Sequence, residues 1–392
     1  MSRPEPASIM LSAGEVSGDL HGAALCRALR ELHPGVKLWG MGGAQMAAAG
    51  MDVIADPTGR AVVGTSEALG RIPALYREYR KLLGRLRAER PAALVLIDFP
   101  EFNLRLARHA RRAGVPVVYF IPPQLWAWRQ GRIRQVRRRV NRVLAVLPFE
   151  PELYRSADVL VEFVGHPLLD ALPLDLGRDE ARRRLGLGPD EIVVGLLPGS
   201  RREEVSRLLP PMLTAARRLS TARAAQRFVL ALAATVEGTA VDEMLARSRD
   251  ADSPRVEAWS GRTYEVMAAA DLILVASGTA TLEAALLGVP MVVCYRVSRV
   301  TEAVVRLLVR VRWCSLPNLV AGRAVVPEIL QDDVTGQRLA AEALKLLEDP
   351  IAAAAQRAAF KDLRARLGEP GVCHRAARAI LKSAKLAGSA PG

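Results

Sequence analysis

The strongest constraint on the fold is an alternation that runs through the chain and starts afresh near its middle. Short aliphatic, β-branched runs are separated by stretches of helical periodicity. In the first half, 9–12, 36–39, 93–97, 115–121, 143–147 and 161–164 read as strands, with helices between them such as 20–32 and 74–90. In the second half, 192–197, 228–233, 255–259, 272–275 and 290–294 repeat the pattern. Runs such as Ala93-Leu-Val-Leu-Ile97 show no polar alternation, so both of their faces must be covered. Strands of that kind alternating with helices form parallel sheets with helices on both sides. The rhythm breaks in the Pro- and Gly-containing stretch 170–177. The expected class is therefore α/β, with two doubly wound domains over 1–170 and 171–370. A chain of 392 residues is long enough to give each its own core. Alanine-rich helices at 351–367 and 371–386 follow the second sheet, and the last residues, 388–392, look frayed. Ligands of such sheets lie beyond the carboxyl ends of the strands, and a cleft between two such domains is a natural place for one.

Charge narrows the choice of partner. The formal net charge is +14. Between Phe102 and Phe149 there are eleven arginines and no acid. The stretch 122–142 sets Trp126 and Trp128 beside Arg129, Arg132, Arg134, Arg137, Arg138, Arg139 and Arg142. Ile133, Val136, Val140 and Val143 recur at helical spacing, so one helix face is expected to be apolar and the arginines to fill the others. Such a segment favours an anionic partner: acidic lipid, a phosphorylated small molecule or nucleic acid. Indoles favour the membrane interface, so an anionic membrane surface is one expected partner. The alternative is that the tryptophans are core and the arginines solvated. Against nucleic acid, the basic block is bracketed by buried-strand patterns. No apolar run reaches the roughly 20 residues of a spanning helix, and the first residues lack the layout of a signal peptide. Cys26, Cys294, Cys314 and Cys373 are scattered with no CxxC, which reads as buried thiols in a reducing cytosol and no metal cage.

Several strand-to-helix turns can carry chemistry. After the first strand, Ser12-Ala-Gly-Glu-Val-Ser-Gly-Asp-Leu-His21 crowds Glu15, Asp19 and His21 into one loop at a helix start, where backbone N–H groups can hold polar or anionic groups. A plain connecting turn is the alternative. Gly40-Met-Gly-Gly43 lacks the third glycine of a dinucleotide fingerprint. Asp98 ends a strand of pure hydrocarbon; partial desolvation would make it a better base, and capping the next helix is the other role open to it. In 197–205, Pro198 and Gly199 turn the chain, Arg201 or Arg202 stands at a dipole-positive helix end, and Ser200 with Glu203 has the spacing of a capping box. In 276–283, hydroxyls and bare backbone could line a phosphate, and Glu283 could accept hydrogen bonds from ribose hydroxyls. Two anion-friendly turns with an acid behind one suggest a nucleoside diphosphate. P-loop, HExxH and GxSxG motifs are absent. Asp250-Ala-Asp252 has metal–diphosphate spacing but lies in a charged loop, so it reads as surface.

Taken in order, SAGEVSGDLHG, GMGG, SEALGRIPALYR, PPQLWAWRQGRI, LPFEPELY, FVGHPLLD, LLPGSRREEV, ASGTATLEAALLGVPMVVCYRV and SLPNLVAGRAVVPEILQ resemble the lipid-A-disaccharide synthases, inverting glycosyltransferases of the GT-B type. The blocks run from Ser12 to Gln331, and those around WAWR, GHP and SLPNLVAGR are the most specific. The resemblance implies two Rossmann-like domains with an interdomain cleft: an acceptor- and membrane-facing domain, rejoined by 371–392, and a UDP-sugar-binding domain. It implies transfer of a sugar from UDP-2,3-diacylglucosamine to the 6-hydroxyl of 2,3-diacylglucosamine 1-phosphate, giving a β-1,6 tetraacyl disaccharide 1-phosphate and UDP. Neither metal nor cofactor is implied. The expected location is cytoplasmic, peripheral on the inner face of the cytoplasmic membrane, and a homodimer with exchanged C-terminal segments is a further implication. Carried over, the donor site comprises Arg201, Ser277, Gly278, Thr279, Thr281, Glu283 and Asn318, and the base is Asp98 with Glu15 as second choice. Two departures stand out. The family form close to IDxPDFN reads IDFPEFN here, placing Glu101 where an aspartate is usual. Val63-Gly64 and Glu67-Ala68 replace a common MG…EV, which bears on the acyl groove. A UDP-N-acetylglucosamine 2-epimerase of the same fold is the main alternative.

Overall fold

The computed structural model describes residues 7–57, 65–127, 130–222, 226–233, 236, 238–248, 253–299, 301–302 and 311–386. It divides into two compact units, Met1–Ala171 with Leu367–Gly392, and Leu172–Arg366. Trp128, Arg129, Val63, Gly64, the Asp250–Asp252 motif and the tail 388–392 lie outside the described residues.

The first unit is built on β1 (Ser8–Ala13), β2 (Lys37–Met41), β3 (Asp52–Ala55), β4 (Ala93–Ile97), β5 (Val117–Phe120), β6 (Arg142–Ala145) and β7 (Val161–Phe163). They form one sheet in the order β3-β2-β1-β4-β5-β6-β7, and every pair is parallel. The second unit holds β8 (Ile192–Leu197), β9 (Gln226–Leu232), β10 (Val256–Ser260), β11 (Leu272–Ala276), β12 (Met291–Tyr295) and β13 (Glu328–Leu330), in the order β10-β9-β8-β11-β12-β13. These pairs are parallel too. The central strands carry no exposed face: Ala93 to Ile97 and Leu272 to Val275 are all fully buried. Each large aliphatic side chain so buried contributes about 1.5–3 kcal/mol. The α/β class expected from the alternation is what is found. Two short edge strands, β3 and β13, go beyond the runs expected from sequence.

The topology fixes where ligands can go. In each sheet the chain winds outward in one direction, returns to the middle and winds the other way. The reversal falls between β1 and β4 in the first unit and between β8 and β11 in the second. Loops leaving the carboxyl ends of such a strand pair diverge and leave a crevice, the switch point at which doubly wound sheets take ligands.

The basic segment differs from expectation. Its helix covers only Ile133–Arg139, and Val143 lies in β6 rather than on that helix. Val136 and Val140 are buried as expected, but the chain straightens at Val140 (φ −112°, ψ 135°). Asn141 ends the helical run by exchanging hydrogen bonds with Val117 at the start of β5. Its N–H donates to the Val117 carbonyl at 2.8 Å, and its side-chain oxygen accepts from the Val117 N–H at 2.9 Å.

The helix Val372–Ser383 completes the first unit. It lies against the helix Val16–Leu32. The Asp170 carboxylate accepts from the N–H groups of Gly371 (2.6 Å) and Cys373 (2.9 Å), holding the start of this last helix. Arg375 Nε donates to the Val164 carbonyl at 3.0 Å.

Candidate active site

In the first unit, the loops leaving β1 and β4 meet at the switch point. Glu15 is the exposed N-cap of the helix after β1. Asp98 follows β4 directly and is half-buried. Burial, and then the nearby Glu15 carboxylate, push the Asp98 pKa up to about 6. The two acids proposed from sequence are therefore neighbours. Asp98 and Phe99 both adopt left-handed backbone, with φ of 46° and 47°. Non-glycine residues rarely do so, and strain of this kind, about 1–3 kcal/mol per residue, persists only where neighbours over-determine the geometry.

Those neighbours can be named. Asn103 Nδ2 donates to the carbonyls of Asp98 (2.7 Å), Ser12 (3.1 Å) and Ile97 (3.2 Å). Its oxygen accepts from the Ser12 hydroxyl at 2.6 Å. The Tyr119 hydroxyl donates to the Asp98 carbonyl at 2.8 Å. One fully buried amide thus ties β1, β4 and the turn carrying the carboxylate. The Phe99 ring covers Gly14 so closely that a Cβ there would overlap it. Phe99 in turn stacks on Phe102 at 5.6 Å.

The other polar residues of the β1 loop have structural roles. The buried Asp19 carboxylate accepts from the N–H groups of Gly43 (2.7 Å), Met46 (3.1 Å) and Gln45 (3.0 Å), which holds the GMGG turn and the helix Ala44–Ala48. His21 and His166, the latter from the GHP block, are buried and mutually close. Burial pushes His21 down to about 4; burial, then His21, push His166 down to about 3. Both are neutral at pH 7.

In the second unit, the loops leaving β8 and β11 flank the other switch point. Gly199 has φ 113°, and a Cβ there would press on Glu204. That turn lets the Glu204 carboxylate fold back to accept from the N–H groups of Ser200 (3.1 Å) and Arg201 (3.3 Å) and to pair with the Arg201 guanidinium at 3.0 Å. Glu204, not Glu203, therefore caps this helix; Glu203 pairs with Arg207 at 3.3 Å. The Arg201 side chain stays 72% exposed despite this pairing.

The helix Thr279–Leu286 starts at Gly278. Among the described residues, the N–H groups of Gly278, Thr279 and Ala280 have no partner. Its positive end is thus open to an anion. The Ser277 hydroxyl donates to the Cys314 carbonyl at 2.8 Å, and the buried Thr281 hydroxyl donates to the Gly278 carbonyl at 2.7 Å. Both fix the loop rather than present a hydroxyl. Glu283 is half-buried, its pKa raised by burial, and accepts from the Tyr264 hydroxyl at 3.3 Å.

Asn318 is fully buried and has no hydrogen-bonding capacity left over. Its oxygen accepts from the N–H groups of Val325 (2.7 Å) and Val326 (2.9 Å), and its Nδ2 donates to the Val326 carbonyl (2.9 Å) and to Glu328 (2.8 Å). These bonds hold the loop together. Glu328 is the hub of this loop and was not singled out from sequence. It also accepts from the Cys314 N–H (2.9 Å) and from the N–H (2.9 Å) and hydroxyl (2.6 Å) of Ser315.

The basic segment splits into two sets. Arg134, Arg137 and Arg138 are exposed, with Arg137 paired to Asp158 at 3.1 Å. Arg132 and Arg139 are half-buried. Arg132 Nη2 contacts both Glu101 carboxylate oxygens, at 2.6 and 2.7 Å. Trp126 is half-buried, edge-on to Phe149 at 5.1 Å, and its Nε1 donates to Glu150 at 3.3 Å. This indole is packed into the protein, in line with the core alternative.

Comparison with known proteins identifies the scaffold. The sequence profile described as "Lipid-A-disaccharide synthetase" matches residues 9–382. The chain belongs to the lipid-A-disaccharide synthase family. The lipid-A-disaccharide synthase of Syntrophus aciditrophicus strain SB is 44% identical over 94% of this chain and 96% of its own. Among solved structures, the UDP-GlcNAc 2-epimerase from Neisseria meningitidis bound to UDP-GlcNAc superposes with a TM-score of 0.65 at 14% identity, covering 96% of this chain and 99% of that one. Anabaena HepE in complex with UDP and glucose gives 0.56 at 16% identity, covering 96% and 99%. At these identities the structures show the fold that lipid-A-disaccharide synthases share with epimerases and other glycosyltransferases. The sequence relatives decide between them: the chain is a glycosyltransferase, and the epimerase and nucleic-acid readings give way.

Proposed function

We propose that the chain transfers 2,3-diacylglucosamine from its UDP derivative to the 6-hydroxyl of 2,3-diacylglucosamine 1-phosphate, with inversion and without a metal. The observation that carries the mechanism is Asp98: a carboxylate at a switch point, with its pKa pushed up to about 6, on a turn braced by Asn103 and Tyr119. A base whose pKa lies near neutrality accepts a proton readily and is still ionised at pH 7, and such a base contributes on the order of 10²–10⁴-fold. Asp98 accepts the proton from the acceptor O6 as that oxygen attacks C1 of the donor sugar. The bond from C1 to the β-phosphate oxygen breaks on the opposite face, which gives the β linkage and releases UDP. Glu15 raises the basicity of Asp98 by repulsion and is the second acid within reach.

The leaving diphosphate gains negative charge. The open N–H groups at Gly278–Ala280 and the Arg201 guanidinium are suited to meet it, each fixed donor contributing about 3–4 kcal/mol. Arg201 leaves Glu204 to do so. Glu283 is proposed to take the ribose hydroxyls. Ser277, Thr281 and Asn318 shape the loops, and Thr279 faces solvent at the helix start.

Both substrates carry acyl chains, so we place the enzyme on the inner face of the cytoplasmic membrane, held by the exposed Arg134, Arg137 and Arg138. No helix among the described residues is long and apolar enough to cross a membrane. A homodimer belongs to the same reading. The test is incubation with both acylated substrates in EDTA. UDP release that requires donor and acceptor together, with a β-linked product, supports the proposal; release or epimerisation without acceptor rejects it.

A further inference from the structure

A cavity of about 440 Å³ opens beside the Asp98 turn, within the first unit, and is lined by Pro100, Glu101, Arg105, Arg108, Arg132 and Arg139 among others. One wall is the helix Pro100–Arg112, on which Glu101, Arg105 and Arg108 follow at spacings of four and three and so share a face. The other wall is Gln130–Arg132 with the helix Ile133–Arg139, which presents Arg132 and Arg139. Two of the four guanidiniums are anchored: Arg132 on Glu101, and Arg139 through Nη1 on the Leu104 carbonyl at 3.0 Å. Among the described residues no carboxylate pairs with Arg105, Arg108 or Arg139. Burial and then the like charges of Arg108 and Arg138 hold the Arg139 pKa below its usual range. Gathering like charge around a hollow opposes folding unless an anion repays it.

We infer that this cavity binds a phosphomonoester, and that its ligand is the 1-phosphate of the sugar acceptor. The inference rests on the transferase reading above. Planar guanidiniums on two facing walls suit the several oxygens of a terminal phosphate better than the single charge of a phosphodiester. The volume exceeds that of a bare phosphate and leaves room for part of a sugar. Pro100, two residues after Asp98, lines the cavity. In a pyranose C1 and C5 flank the ring oxygen, so the 6-hydroxyl is carried on the same edge as the 1-phosphate, and a phosphate held there keeps it near the Asp98 turn. The Glu101 carboxylate fixes Arg132 and keeps the cavity's charge from being wholly cationic.

The experiment compares acceptors with and without the 1-phosphate and reads the ratio of their kcat/KM values. The wild-type ratio is expected to favour the phosphorylated acceptor strongly. In the double variant Arg105→Gln/Arg108→Gln the ratio should fall by about 30-fold or more, as expected for losing two charge-assisted hydrogen bonds. Arg111→Gln/Arg112→Gln removes the same charge from the same helix outside the cavity lining, and should keep the wild-type ratio. An unchanged ratio in the first variant overturns the inference, as does an equal fall in both variants, which would assign the effect to overall charge. Loss of sedimentation with phosphatidylglycerol vesicles at an unchanged ratio would assign the cavity to membrane headgroups instead and overturn it too. Binding of the acylated 1-phosphate without donor, measured by calorimetry, separates the two readings. Binding that needs Arg105 and Arg108, in a wild-type chain that transfers no sugar, sinks the transferase mechanism and keeps the phosphate site; no such binding sinks the site.

Discussion

At the scale of single residues, the proposed chemistry depends on a carboxylate that the fold makes uncomfortable. Asp98 has a folded pKa of about 6, above the ordinary aspartate value of 3.8. Only the ionised form can accept the acceptor's proton, so kcat/KM should fall as pH drops through about 6. Asp98→Asn should lower turnover by about 10²-fold or more and abolish that acid limb, while UDP binding measured by calorimetry stays unchanged. The same shift has a thermodynamic face. A raised carboxylate pKa stabilises the folded state at low pH, and that stabilisation is lost as pH rises from the unfolded value through about 6. Asp98→Asn, which has no proton to lose, should therefore raise Tm relative to the wild type at pH 8 and less so at pH 4; a lower Tm at pH 8 would contradict the shift. The position of Asp98 directly after a buried strand was legible in the sequence, because that strand is all hydrocarbon. Asn103 was not, because a buried asparagine on a helix carries no pattern: its meaning lies in the three carbonyls it reaches across two strands and a turn.

At the scale of elements, the loop 314–328 shows how one side chain sets a whole turn. Glu328 begins a strand of three residues and takes four donors, from Cys314, Ser315 and Asn318. Glu328→Ala would strand those donors in a largely buried setting, where each unmet group costs about 1–3 kcal/mol. A loss of about 3 kcal/mol or more in urea unfolding is expected, together with weaker UDP binding as the Ser277–Cys314 contact loosens. A Tm and UDP affinity within error of wild type would show that the loop is held otherwise. The long buried strands were legible because uniform hydrocarbon leaves few alternatives. β3 and β13 were not, since strands of four and three residues at a sheet edge have too few positions to show periodicity. The helix through the arginines was over-extended to Val143 because valine spacing alone does not register that Asn141 is captured by Val117.

At the scale of the whole molecule, the charge excess is divided between a cavity and a surface. The formal net charge of +14 gives the chain a general attraction to anionic surfaces, and Arg134, Arg137 and Arg138 offer it a local foothold. Replacing those three with glutamine should weaken sedimentation with phosphatidylglycerol vesicles by roughly two orders of magnitude, at about 1 kcal/mol per basic residue. Binding should also fall with added salt, in the wild type more steeply than in the variant. Binding that is equal in both would place the foothold elsewhere. The basic block was legible as a sum of charges; which arginines face solvent and which line a hollow depends on how the helix Ile133–Arg139 packs against the helix Pro100–Arg112, and composition does not record it. The way the polypeptide threads its two units has a consequence for synthesis. The first seven strands emerge from the ribosome long before Leu367 onward, the piece that covers the helix Val16–Leu32 and receives the Asp170 carboxylate. The earlier-made half must wait, unfinished, while the later-made half is translated and can close upon itself, so birth order and completion order are reversed.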